Sequence, residues 1–212
     1  MNVLITRPEH DTATFYLSKW SEPLIKKCKN KGFRVFDLKG SKANIERFNS
    51  IVSSKKPSFL ILNGHGTKNA IFGQDNKQLL SMKNLDLPGK PIIYSVACET
   101  ASGLGKDAVN NGVQAYIGYS QKFIFIADQN KASRPTKDEL AKPFFESTNR
   151  VPEGIIKGNT AQRAFEKAKS EFKKQMIRLR KEAKTFEEEL VLKYLLWDFM
   201  FLSLLGKAEA RL

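Results

Sequence analysis

Two short runs, residues 58–63 (SFLILN) and 91–97 (PIIYSVA), are apolar along nearly their whole length. A strand with one face in water alternates polar and apolar side chains, so a run without that alternation has both faces covered. Such strands belong to a parallel sheet between two layers of helices, which narrows the chain to an α/β architecture. The flanking segments supply the matching parts. Residues 2–6 read as a strand. Asp11 can cap a helix beginning near Thr12, where Phe15, Leu17, Trp20, Leu24, Ile25 and Cys28 recur at helical spacing, and Gly32 can end it. A second strand is expected at 33–38. A helix at 43–53 follows, with Ile45, Phe48, Ile51 and Val52 inward. After a loop or hairpin region (67–89) and the strand at 91–97, a helix is expected at 103–111 and a strand at 114–119. A loop (128–138), a short helix (139–147), a long helix (159–184) and an apolar segment (186–205) complete the chain. Strand–helix–strand order with short connections predicts a doubly wound sheet.

The 212 residues are enough for one domain with a real core. The expected division is a core over 1–170, with C-terminal helices and a terminal segment over 171–212. The opening MNVLITRPEH carries Arg7 early and reads as a strand, not a signal peptide. Residues 190–205 are interrupted by Lys193 and Asp198, too short and too charged for a membrane span. A cytoplasmic location without membrane association is therefore expected. Cys28 and Cys98 cannot build a disulfide framework and lack metal-ligand spacing, so neither a metal nor another cofactor is expected. The net charge of +14 comes without any nucleic-acid recognition motif. A soluble lysine-rich surface is the expectation, with nucleic acid not a partner.

The chemistry is concentrated at two strand ends. One apolar strand runs into NGHG at 63–66, the other into SVACET at 95–100. In open parallel sheets ligands bind outside the carboxyl ends of the strands. If the two strands are neighbours, His65 and Cys98 face one another across a groove. Cys98 can then attack a carbonyl as thiolate, with His65 activating the thiol or protonating the leaving group. The amides of Gly66 and Cys98 can point at the developing oxyanion. A helix starting at the 103–105 turn is expected to favour the thiolate. Cysteine alone reads as a small buried hydrophobe, and histidine between glycines as a turn residue. Their joint placement, each at the tip of its own strand, outweighs those plain readings. Arg7, His10 and Asp11 end the first strand at the same edge and can line a pocket. Their plainer reading makes Asp11 a helix cap and His10 a surface residue.

The motifs NGHG (63–66) and ACET (97–100) resemble those of the caspase-like superfamily of cysteine peptidases (clan CD), nearest to its prokaryotic CHAT-type and gingipain-type branches. Residues 98–105 (CETASGLG) and 112–118 (GVQAYIG) are similar to that family's cysteine loop, helix and following strand. Phe144, Phe145 and residues 158–161 (GNTA) resemble its later helix, and 202–206 (LSLLG) its terminal strand and glycine. The resemblance implies a caspase-like fold with sheet-flanking helices and a helical C-terminal extension. It also implies a cysteine endopeptidase acting on a protein substrate and switched on by an activating partner, a ligand or a processing event. From its composition, the exposed Lys-rich loop 129–137 is a candidate for cleavage or ordering. Residues 123–128 (FIFIAD) stand for the family's strand before an S1-side acid. Asp128 there, and Glu99 beside the nucleophile, are the expected substrate-binding acids, implying a basic P1 residue. Lys207 departs from the acid that often follows the terminal glycine. The alternative is a catalytically inactive binding or regulatory module on the same fold.

Overall fold

The computed structural model describes residues 1–212. In chain order, β1 (Asn2–Arg7), α1 (Thr12–Asn30), β2 (Arg34–Lys39), α2 (Ile45–Lys55) and β3 (Phe59–Asn63) alternate as strand and helix. Three short strands follow: β4 (His65–Thr67), β5 (Ala70–Phe72) and β6 (Gln78–Ser81). Next come β7 (Ile92–Val96), α3 (Leu104–Asn110) and β8 (Ala115–Tyr119). The remainder holds α4 (Lys142–Thr148), α5 (Arg150–Ile156), α6 (Ala161–Glu182), α7 (Phe186–Phe201) and β9 (Leu202–Gly206).

The main sheet has the order β2-β1-β3-β7-β8-β9. Its first five strands are mutually parallel, and β9 is antiparallel to β8. Alternate strand residues feed opposite layers, as the pleat requires. Val3, Ile5, Phe59, Ile61, Ile92, Tyr94 and Ile117 join α1 and α4–α7 in one core. Leu4, Leu60, Leu62, Ile93 and Tyr116 join α2, α3 and the small sheet in the other. Both faces are thus covered, as the unbroken apolar strands predict, and the chain has a mainly parallel α/β sheet flanked by helices. No helix is long and apolar enough to cross a membrane.

The hairpin left open for residues 67–89 is present: β5 and β6, with β4, form a separate antiparallel sheet of order β4-β5-β6, so His65 lies in a strand and not in a turn. Two other regions differ from the sequence expectation. Residues 123–128 pair with no strand. β8 already has β7 on one side and β9 on the other, so no ladder position remains for them. Phe123 and Phe125 instead pack on Phe145 in an aromatic cluster. The helix α5 was not anticipated; it follows α4 after Asn149, which both caps the C-terminus of α4 and precedes Arg150.

Candidate active site

The register of β3 against β7 sets the site. Asn63 and Val96 form the last paired rung, so His65 and Cys98 each lie two residues beyond it on adjacent strands. Asn63 is itself fixed. Its side-chain amide donates to the Thr6 carbonyl at 2.8 Å, and its backbone N–H donates to Thr6 Oγ1 at 2.9 Å. This buried clamp ties the carboxyl end of β3 to that of β1 and brings the loop carrying His10 and Asp11 to the same edge. Strand order reverses between β1 and β3, the place where an open α/β sheet presents its binding crevice.

A cavity of ≈ 140 Å³ lies here, lined by Ala13, Leu17, Gly64, His65, Cys98 and Phe123 among others. Larger hollows lie between α5 and α6 and between α6 and α7, away from the strand tips. The chemistry-bearing side chains are at the smaller one. Gly66 passes directly over the Cys98 loop: a Cβ there would stand 2.6 Å from the Cys98 carbonyl oxygen and 2.8 Å from its nitrogen. Only glycine permits that approach. The Cys98 amide donates to no backbone carbonyl.

The imidazole is held by a carboxylate. Asp11 Oδ2 lies 2.6 Å from His65 Nε2, which leaves Nδ1 as the ring nitrogen open to other partners. Asp11 also caps α1, its Oδ1 accepting from the Thr14 amide at 2.8 Å in a capping box. Burial opposes ionisation of Asp11, but the Thr14 amide and His65 overcome it and bring its pKa down to about 2. The cap expected from the sequence is therefore present, and the same carboxylate has a second partner that spacing along the chain did not reveal. His10 is not the surface residue expected: its side chain is 10% exposed, with its ring edge-on to His65 at 5.7 Å between centroids. Arg7 does not line the cavity either. It is buried and paired with Asp37 through two contacts of 2.9 and 2.6 Å, which lock β2 to β1.

Cys98 is partly exposed, and no hydrogen bond joins it to His65. Burial pushes its thiol above the ordinary value, the Phe123 backbone pulls it down through a hydrogen bond, and nearby Glu99 pushes it further up. The helix expected to favour the thiolate does not begin at Cys98, and burial holds the thiol on its neutral side. A 3-10 turn (Thr100–Ser102) separates it from α3, and desolvation dominates. Cys28 is fully buried on α1 and its thiol is raised to about 11, an inert position as expected.

The two expected substrate acids stand differently. Glu99 adjoins Cys98 in the left-handed region, at φ 63°, with its N–H given to the Gln121 carbonyl. Asp128 is outside the cavity; its Oδ1 accepts from the Asn130 amide at 2.9 Å and caps a 3-10 turn, the plainer of the roles open to it.

No protein-family model matches the sequence, and no curated protein matches it. Among solved structures, the chain is similar to the Arg-specific cysteine proteinase gingipain R, with a TM-score of 0.62 and 12% identity. The match covers 98% of this chain and 46% of that one, so the chain spans about half the length of the solved protein it matches. With nearly every residue of the chain inside that superposition, its architecture is the caspase-like α/β fold.

Proposed function

We propose that the chain is a cysteine peptidase, with Cys98 as nucleophile, His65 as its acid and base, and Asp11 as the residue that positions His65. One observation carries this reading: two side chains from adjacent strand tips line the same cavity, and the outer nitrogen of the imidazole is already occupied by a carboxylate. With Nε2 held by Asp11, Nδ1 is left for the reacting groups. A peptide carbonyl entering the cavity is attacked by Cys98 Sγ, whose proton passes to His65. The oxyanion is met by the amides of Gly66 and Cys98. His65 then returns the proton to the departing amine, leaving a thioester that water hydrolyses. The raised thiol fits a nucleophile that is neutral until substrate and histidine are aligned. The gingipain R of similar fold is Arg-specific by name. For a basic P1 residue here, Glu99 is the acid adjoining the nucleophile, and Asp128 requires a movement of its loop. A protein substrate follows from this chemistry, and an activating partner is the agent proposed to close the gap between thiol and imidazole.

A second reading, an inactive binding module, is favoured by the missing hydrogen bond between His65 and Cys98 and by the protonated thiol. Apo catalytic contacts are commonly loose, so the gap alone does not decide against the enzyme. Lysine- and arginine-directed acyloxymethyl ketone probes separate the two. Labelling that is lost in Cys98→Ala and sharply reduced in His65→Ala is expected; a wild-type thiol indifferent to the probes at every pH favours the binding module.

A further inference from the structure

We infer that His10, Asp11 and His65 form a binding site for a divalent transition cation of the zinc class, and that its occupancy switches off the Cys98 centre. The switching half rests on the peptidase reading above; the binding half does not. One ligand atom from each of the three residues lies within 4.8 Å of the others. Two imidazoles and one carboxylate are a donor set that suits zinc and leaves a fourth position open.

His10 points most strongly to a ligand. Both its ring nitrogens are cut off from solvent and have no hydrogen-bond partner. A polar group buried without a partner costs stability, so this ring is placed at a standing disadvantage unless something binds it. Its Nε2 lies 3.6 Å from Asp11 Oδ2. Donor atoms on a tetrahedral zinc with bonds of about 2.0–2.2 Å sit roughly 3.3–3.5 Å apart, so this pair is already near its liganded spacing. The closer pair, Asp11 and His65 at 2.6 Å, has to open. Both side chains can do so, being 39% and 40% exposed, and through them the ion reaches the site from solvent.

The consequence for the chemistry follows from proton counting. A neutral imidazole carries one proton on its two nitrogens. With the cation on Nε2, that proton must reside on Nδ1, and His65 can no longer accept another from Cys98. The cation also takes Asp11 away from positioning. Occupancy therefore disables the base without touching the thiol.

Zinc and cobalt(II) ions, with Cys98→Ala and His10→Ala proteins, test this. Cys98→Ala is expected to bind one equivalent of zinc by calorimetry and to give the visible absorption of low-coordinate cobalt. Loss of His10 should weaken binding by at least the roughly 10–100-fold that even an outer-shell partner contributes. In metal-free wild type, probe labelling of Cys98 is expected to fall as zinc saturates and to return with a chelator. His10→Ala labelling, taken relative to its own metal-free rate, should resist zinc. His10→Gln, which retains bulk and a polar atom, guards against misfolding, checked by its melting temperature. Zinc suppressing the folded His10 variants as strongly as wild type, or failing to bind Cys98→Ala, overturns the inference. A metal-free wild type that never labels instead overturns the peptidase reading while leaving the calorimetry to decide the site.

Discussion

Asp11 does two jobs with two oxygens, and substitution can separate them. Asparagine caps a helix about as well as aspartate, whereas alanine loses roughly 1 kcal/mol of cap. Asp11→Asn is therefore expected to leave thermal stability nearly unchanged while lowering probe labelling of Cys98 by about 10–100-fold, the size of a second-sphere effect. The pH profile should change with it, because an ionised carboxylate held near pKa 2 has been replaced by a neutral amide; Asp11→Glu should restore part of both. An unchanged profile in Asp11→Asn would make the contact merely structural. Cys98 has its own pH signature. Its thiol is raised above 9.0 in the folded chain, so the unfolded thiol ionises first as pH rises. Native alkylation by iodoacetamide should climb through a midpoint above that of the denatured protein, and the stability drawn from the neutral thiol should fade over the same alkaline window. His65 and Cys98 were legible in the sequence because each closes an apolar strand. The Asp11–His65 contact was not, since it spans 54 residues and exists only because β1 and β3 are neighbours. The burial of His10 was hidden for the same reason.

At the level of elements, the unbroken apolar strands and helix spacings were readable, and β9 follows the terminal strand that the resemblance implied. Residues 123–128, for which the resemblance implied a strand, form none, because both edges of β8 are already taken by β7 and β9. Their real anchor is α7: the Ile124 amide donates to Asp198 Oδ1 at 3.1 Å. Asp198 is fully buried, its other oxygen is unpaired, and desolvation raises its pKa well above 3.8. A carboxyl raised in this way favours the folded state most below its unfolded value, and that advantage is lost as pH rises toward its folded one. Asp198→Asn keeps the acceptor and removes the ionisation. We expect it to raise the melting temperature at pH 7 and change little at pH 3, with each unit of raised pKa corresponding to about 1.4 kcal/mol. Equal shifts at both pH values in calorimetric scans would locate the effect in packing instead.

Over the whole molecule, the +14 charge is the feature most open to misreading. Part of it is locally matched, as in Arg150 with Glu153 and Glu171, and Lys27 with Glu153. Binding to duplex nucleic acid at physiological salt should be no tighter than the roughly 10⁻⁴–10⁻⁶ M of nonspecific contacts, read by fluorescence anisotropy. A complex that holds its affinity as salt rises would make nucleic acid a true partner.

The imidazole and the sulfur travel on different carriages. His65 is borne by the small antiparallel sheet and Cys98 by the large parallel one, coupled where Gly66 rests on the cysteine loop and where the Leu104 amide donates to the Lys68 carbonyl at 2.7 Å. On the peptidase reading, a slight tilt of the hairpin would alter the gap between imidazole and sulfur without melting either sheet. Anything that leans on β5 or β6 from outside would then act on that chemistry as a lever acts on a latch.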